Sequence, residues 1–387
     1  VPKRVIPREI ADIAKSLFSK YPIITITGPR QSGKTTFVRN AFPGLDYVNL
    51  EDMEERGFAR EDPKGFLRQH HRGAVFDEIQ NAPDLPSWLQ THVDEKGEPG
   101  QFILTGSRQF EVMEAVSQSL AGRTAMLKLL PFSMDELRAG GWIRDNDDLI
   151  HRGFYPRIYS YGLDPNKVLS DYISTYVERD VRQLSQIYNI TLFERFLGLC
   201  AGRVGQVLNF SSLANDTGIS HTTASEWMTL LQASYVVYLL KPYHKNFKKR
   251  LIKSPKLYFY DTGLASRLLG IEKAEHVVHH PLRGNLFENL VLGELLKYRY
   301  NRALPDPFYF YRDSKGNEVD VIYEIGGLPF PLEIKAGATL NSDYFRNLRY
   351  FTERVAGRNP YTVSAGLLVY AGDRVEQRND IQVTHPA

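Results

Sequence analysis

The sequence predicts an α/β fold: a parallel-sheet domain, then a helical domain, then a second α/β domain. Three observations carry this. Short β-branched runs at Tyr21 to Thr27, Asp46 to Leu50, Gly73 to Phe76 and Gln101 to Thr105 alternate with helical stretches, the pattern of strands joined by crossing helices. Residues from about 165 to 260 read as mostly helical and end in Val- and Tyr-rich strands. Residues from about 284 onward open on a helix and then turn to strands. Breaks near Gly140-Gly141 and His279-His280-Pro281 divide the chain into 1–140, 141–280 and 281–387.

Composition limits the function classes. A length of 387 residues suits about two to three domains. Apolar residues make up 42% and charged residues 24%, as in a globular chain that buries a sizeable core. The single cysteine, Cys200, excludes an internal disulfide framework and a multi-cysteine zinc site, and points to a reducing, cytoplasmic home. No apolar run approaches the ~18 residues of a membrane-spanning helix, and the first residues lack the apolar stretch of a secretory signal, so no membrane association is expected. The net charge of +3 hides an asymmetry, because residues 201–260 hold eight Lys and Arg against two Asp and Glu. A local basic field of this kind attracts polyanions.

The first strand runs into Gly28-Pro-Arg30-Gln31-Ser32-Gly33-Lys34-Thr35-Thr36, which matches the phosphate-binding loop G-x-x-x-x-G-K-[ST]. Its glycines let the backbone curl so that N–H groups converge on a phosphate, and the following helix adds the positive end of its dipole. Arg30, Gln31, Ser32 and Thr36 complete the cradle, Lys34 reaches the β and γ phosphates of ATP, and the Thr35 hydroxyl holds Mg²⁺. Next, Ala74-Val-Phe-Asp77-Glu78 is an apolar strand ending in two carboxylates, the Walker B pattern. Asp77 is expected to hold Mg²⁺ and Glu78 to polarise the attacking water. The strand Phe102 to Thr105 ends in hydroxyls, so Thr105 or Ser107 is either a γ-phosphate sensor or a local cap. Arg108 and Arg123 follow. Arg123 is either an arginine finger offered to a neighbouring subunit or a structural ion-pair partner.

These segments, followed by Leu120-Ala-Gly-Arg-Thr124, Leu129-Leu-Pro-Phe-Ser-Met-Asp-Glu-Leu137, Gly153-Phe-Tyr-Pro156, Tyr176-Val-Glu-Arg-Asp-Val-Arg182 and Lys253 to Leu264, resemble in order a group of prokaryotic AAA-type P-loop ATPases. That group carries a C-terminal domain of unassigned function. The resemblance covers nearly the whole chain and implies ATPase activity and assembly into a homo-oligomeric ring such as a hexamer. It implies no substrate.

The basic region has a shape of its own. Phe210 to Leu231 reads as helix, turn, helix, with Ser211 or Ser212 capping the first helix, Gly218 in the turn and Ser220 capping the second. Strand-like Tyr235 to Leu240 and Lys256 to Tyr260 flank a basic loop holding Lys245, Lys248, Lys249 and Arg250. Helix-turn-helix plus basic hairpin describes a winged helix, in which Thr222 and Thr223 would face a DNA major groove and the loop lysines its phosphates. Helix-turn-helix shapes also bind proteins, so a protein partner stays open beside DNA.

The last part holds a second candidate site. Asp320 lies on one strand, and Glu333 and Lys335, two apart, share a face of the next. Asp-x(n)-Glu-x-Lys is the signature of the PD-(D/E)xK nuclease fold, Glu288 matches that fold's extra helix acid, and Val319 stands where its proline would be. Asp320 and Glu333 would bind a second Mg²⁺ while Lys335 orients water. The same fold can also serve only as a binding platform. His276, His279 and His280 lack acidic or cysteine partners and read as surface.

The expectation is therefore a Mg²⁺-dependent oligomeric ATPase that remodels or moves along DNA, with branched or junction DNA suggested by analogy. Its rivals are an ATP-dependent nuclease and a nucleotide-gated signalling switch that binds protein.

Overall fold

The computed structural model describes residues 5–107, 112, 116, 118–142, 144–177, 189–243, 254–356 and 365–386. The first part is built on strands β1 (Ile23–Thr27), β2 (Asp46–Asn49), β3 (Ala74–Asp77), β4 (Phe102–Gly106) and β5 (Thr124–Lys128). They form one sheet in the order β2-β3-β4-β1-β5, with every pair parallel. Helices α1 (Ala11–Phe18), α2 (Lys34–Ala41), α3 (Met53–Glu61), α4 (Pro63–Gln69) and α5 (Leu85–Lys96) lie between and before the strands. Because alternate residues of a strand face opposite ways, each strand feeds two cores. Ile24, Ile26, Val75 and Ile103 pack on one side with Phe37 and Val38 of α2, while Ile23, Phe76, Phe102 and Leu104 pack on the other with Phe66 and Leu89. The β1 strand is entirely buried between β4 and β5, so its carboxyl end is the best-supported point of the sheet.

Beyond β5 the chain is helical: α6 (Met134–Ala139), α7 (Asn146–Arg152), α8 (Pro156–Ser160), α9 (Pro165–Tyr172), α10 (Ile190–Ala201), α11 (Phe210–Thr217) and α12 (His221–Ala233). Ser133 and Glu136 close a reciprocal capping box on α6. Helices α11 and α12 are the expected helix-turn-helix, with Gly218 left-handed between them and Ser220 capping α12 through the Thr223 N–H at 3.0 Å. The α11 cap differs from expectation. The helix starts at Phe210, at least two residues earlier than a serine cap would allow, and the Asn209 side chain accepts from the Ser212 N–H at 3.0 Å. Ala224, Trp227, Met228 and Leu231 bury the inner face of α12, and Trp227 meets the rings of Phe193 and Phe196 edge-on at 5.3 and 5.4 Å.

Strands β6 (Val237–Pro242) and β7 (Lys256–Phe259) then pair antiparallel as a hairpin. Helices α13 (Thr262–Leu268), α14 (Ala274–His279) and α15 (Arg283–Tyr300) follow, then β8 (Phe308–Arg312), β9 (Glu318–Ile325), β10 (Leu328–Lys335), α16 (Arg346–Phe351), β11 (Gly366–Tyr370), β12 (Glu376–Arg378) and β13 (Ile381–Thr384). Among the described residues, one mixed sheet runs β12-β13-β11-β10-β9-β8-β6-β7. The hairpin joins it through β6, whose Lys241 and Pro242 lie parallel to Tyr309 and Phe310 of β8. One sheet therefore draws strands from both sides of residue 280. One hydrophobic core accompanies it from Ile6 and Phe132 through Trp227 and Leu257 to Leu332 and Val369, and a second gathers Tyr311, Val319, Ile322 and Leu368 with Leu348 and Phe351 of α16. No helix among the described residues is long and apolar enough to cross a membrane.

Two of the sequence's punctuation motifs lock together. Gly153 has φ +66°, and a Cβ there would lie 2.1 Å from Asp261 Oδ1. The buried Asp261 carboxylate instead accepts the Phe154 N–H at 2.7 Å and the Leu264 N–H at 3.1 Å. It stitches the start of α8's approach to the start of α13. Gly153→Ala should cost about 1–3 kcal/mol through its left-handed backbone alone, with the carboxylate clash added, read as a lower urea midpoint.

Candidate nucleotide-binding site

The loop after β1 is shaped by contact with the chain just after β5. A Cβ at Gly28 would stand 2.1 Å from the Leu129 carbonyl oxygen, so only glycine allows the strand end to lie this close. Gln31 at φ +60° and Gly33 at φ +93° then turn the backbone into α2. Lys34 is buried at 5% exposure and its Nζ donates to the carbonyls of Gly28 and Pro29, each at 2.9 Å. Ser32 Oγ and Gln31 Oε1 are buried without a hydrogen-bond partner among the described residues. A closed ring of backbone around a buried ammonium, with polar atoms left unsatisfied, fits a phosphate chain.

Asp77, at the end of β3, gathers three hydroxyls. Thr35 Oγ1 donates to its Oδ2 at 2.7 Å, and Tyr47 from β2 and Thr105 from β4 also donate to it. Burial, then Asp77, push the Tyr47 hydroxyl well above its ordinary range, which keeps it a proton donor. A hydroxyl and a carboxylate meeting beside the loop are the two ligands that would hold Mg²⁺, which neutralises charge on the transferred phosphate when bound. Glu78 follows in the left-handed region at φ 59°. Its Oε2 accepts from Ser107 Oγ at 3.0 Å, the Ser107 N–H at 3.3 Å and Gln80 Nε2. Thr105 and Ser107 thus each touch one of the two acids.

These groups face a cleft of about 690 Å³, lined by Arg30, Gln31, Gly33, Lys34, Thr35, Thr36 and Glu78 from the sheet domain. Arg30 stands 3.8 Å from Glu51. The opposite wall comes from Val5 to Arg8 and from Pro156, Arg157 and Tyr161. Arg8 braces the loop from outside: its guanidinium donates to the carbonyls of Ser32 at 2.8 Å and Leu130 at 2.6 Å and to Glu136 at 2.9 Å. Arg123 is not part of this cluster. It precedes β5 at the sheet edge opposite the loop, where Asp94 holds its guanidinium in two bonds of 2.6 and 2.7 Å.

The second predicted cluster also assembles. Glu288 of α15, Asp320 of β9, and Glu333 and Lys335 of β10 converge, with Lys335 Nζ 2.7 Å from Glu333 and 3.4 Å from Asp320. The Ile334 N–H donates to Asp320 at 2.8 Å. Lys256 joins them unannounced: its Nζ lies 3.0 Å from Glu288, 2.5 Å from Glu318 and 3.9 Å from Asp320. Burial opposes the charge on Lys256, but the surrounding carboxylates outweigh it and hold its pKa well above the ordinary value. Burial, reinforced by Asp320, raises Glu333 to about 8, and burial raises Glu288 to about 7.

In the helix-turn-helix, Thr222 is exposed at the start of α12 and the Thr223 hydroxyl shares a 2.8 Å bond with Ser220. Lys245, Lys248, Lys249, Arg250 and Arg108 lie outside the described residues. At the far end of α12, Tyr235 adopts φ +55° and its buried hydroxyl shares a 2.8 Å hydrogen bond with Thr27, the last residue of β1.

Residues 20–138 match the family described as AAA domain. This part of the chain is an AAA-type P-loop ATPase domain. Residues 143–275 and 283–387 match two domains of unknown function, DUF8612 and DUF4143. Uncharacterized proteins of Mycobacterium tuberculosis and Mycobacterium bovis are each 29% identical to the chain over 340 residues, covering 86% of this chain and 74% of theirs. Among solved structures it is similar to a Walker-type ATPase of Pyrococcus abyssi, at 14% identity and a TM-score of 0.45, covering 69% of this chain and 97% of that one. It is also similar to the Holliday junction branch migration motor RuvB of Thermotoga maritima, at 19% identity and a TM-score of 0.32, covering 61% and 92%.

Two outcomes follow for the ATPase. Lys34→Ala should abolish the rise in melting temperature that ATP gives the unaltered chain, measured by scanning fluorimetry. Because Glu333 binds its proton more tightly folded than unfolded, its contribution to stability is present below pH 4.5 and is lost as pH rises through about 8. Glu333→Gln should flatten the fall in melting temperature between about pH 5 and pH 8.

Proposed function

We propose that the chain is a Mg²⁺-dependent ATPase that works on DNA as a homo-oligomer, with the helix-turn-helix as its DNA-contacting element. The observation that carries this is the buried Tyr235–Thr27 hydrogen bond, which ties the end of α12 to the strand that leads into the phosphate loop. A non-glycine residue in the left-handed region costs on the order of 1–3 kcal/mol, so the fold sustains this contact against strain. With ATP in the cleft, Lys34 exchanges the Gly28 and Pro29 carbonyls for phosphate oxygens, and the Thr35 hydroxyl turns from Asp77. Glu78, released from Ser107, orients the attacking water. Movement of the loop at Thr27 passes through Tyr235 to α12 as one packed unit.

Three features support DNA as what α12 meets. Thr222 is exposed at its start, the sequence between β6 and β7 holds Lys245, Lys248, Lys249 and Arg250, and residues 201–260 carry the chain's positive excess. Arg123 is held by Asp94 in two bonds, the structural ion pair left open beside an arginine finger, and the homo-oligomer is proposed from the match to the AAA domain.

ATP hydrolysis measured with single-stranded, duplex, forked and four-way-junction DNA tests the reading. At least one DNA should stimulate turnover several-fold, the effect should fall steeply with salt, and Lys34→Ala should remove it. Tyr235→Phe should keep basal turnover while weakening the stimulation. A flat response to every DNA would overturn the DNA reading in favour of a switch that binds protein.

A further inference from the structure

The acids of the C-terminal sheet would suit a divalent ion only if three or more of them were grouped around one open, hydrated position. The geometry is otherwise. Lys256, the first residue of β7, is 2% exposed and threads its ammonium between Glu288 at 3.0 Å, Glu318 at 2.5 Å and Asp320 at 3.9 Å. The Tyr258 hydroxyl donates to the same Glu288 oxygen that meets Lys256. The other Asp320 oxygen is taken by the Ile334 N–H at 2.8 Å and by Lys335 at 3.4 Å. Glu333 is bound by Lys335 at 2.7 Å and by Asn347 at 3.3 Å. Arg312 stands a further 3.4 Å from Glu318. Both Glu333 contacts use Oε1, and its Oε2 is buried without a hydrogen-bond partner, but each carboxylate has a cation of the chain's own beside it and no three acids among the described residues are grouped to hold a metal ion, so the residues do not fit a bound metal.

We propose that the Lys256 ammonium occupies the place a divalent cation would take, so that the Asp320–Glu333–Lys335 cluster is a metal-free charge centre that clamps the β6–β7 hairpin to the C-terminal sheet. The lysine comes from the hairpin and its partners come from α15 and β9, so the bond network crosses between them. An ammonium brings one charge with its own tether, where a divalent ion brings two and needs water or substrate to complete its shell. The burial of the lysine makes the arrangement all-or-none: withdrawing it leaves several carboxylates in low dielectric without a counter-ion. This holds whether or not the ATPase acts on DNA.

Mn²⁺ binding to the nucleotide-free full chain, followed by electron paramagnetic resonance and calorimetry, tests the proposal. The unaltered chain and Asp320→Asn should give the same Mn²⁺ isotherm. Lys256→Met should gain a bound Mn²⁺ and recover melting temperature on its addition, and Lys256→Met with Asp320→Asn should lose both effects. Binding of Mn²⁺ to the unaltered chain that Asp320→Asn removes would overturn the proposal, and so would a folded Lys256→Met that takes up none. If Lys256→Met fails to fold, the unaltered chain against Asp320→Asn still decides, with Glu333→Gln as a second comparison.

Discussion

The close approach of β1 to the chain after β5 is the constraint on which the rest depends. β1 is the buried strand between β4 and β5, and at its end Gly28 lies against the Leu129 carbonyl with no room for a side chain. That contact fixes where the loop begins. From there Lys34 finds the loop's own carbonyls, Thr35 finds Asp77, and Arg8 seals the outside through Ser32 and Leu130. Thr27, the residue just before the contact, is also where Tyr235 attaches. The nucleotide cleft and the helix-turn-helix thus hang on consecutive residues of one strand.

Charge is handled in the interior by close pairing. Asp261 is neutralised by backbone N–H groups and lies near Lys297, while Glu294 accepts from the Met134 N–H at 2.8 Å and from Lys297 at 2.7 Å. Such groups add little net stability over apolar replacements, but removing one partner leaves the other exposed to the full cost of burial. They specify which elements meet: Glu294 ties α15 to the start of α6, and Arg283 ties it to Asp147 of α7 at 2.9 Å.

What could be read from the sequence was what lies close along the chain. Gly28 to Thr36 and Asp77-Glu78 are contiguous signals; Arg30, Gln31, Gly33 to Thr36 and Glu78 line one cleft, and Thr35 bonds Asp77 beside it. Period-two spacing brought Glu333 and Lys335 to one face, and a helix-turn-helix was legible from Gly218 and Ser220. Arg8, Tyr47, Tyr235 and Lys256 were not legible. Each is a lone residue of a common type whose partner lies tens to hundreds of positions away, so no local period or motif marks it. Lys256 is the plainest instance: in sequence it looks like one more member of the basic stretch, yet it is buried among acids. The Asn209 cap was missed because two serines competed for the same short window.

The attachment of β6 to β8 bears on how the chain can be divided. The hairpin's inner strand, β6, finds its sheet neighbour in residues some seventy positions later, at Tyr309 and Phe310. A chain ending after His280 would leave β6 with unpaired backbone along one side and would expose the apolar surface now covered by Phe308 and Phe310. Open edges of that kind recruit strands from other molecules. The C-terminal part is therefore not an exchangeable appendage, and recombination that swaps tails among related ATPases must carry the hairpin with them.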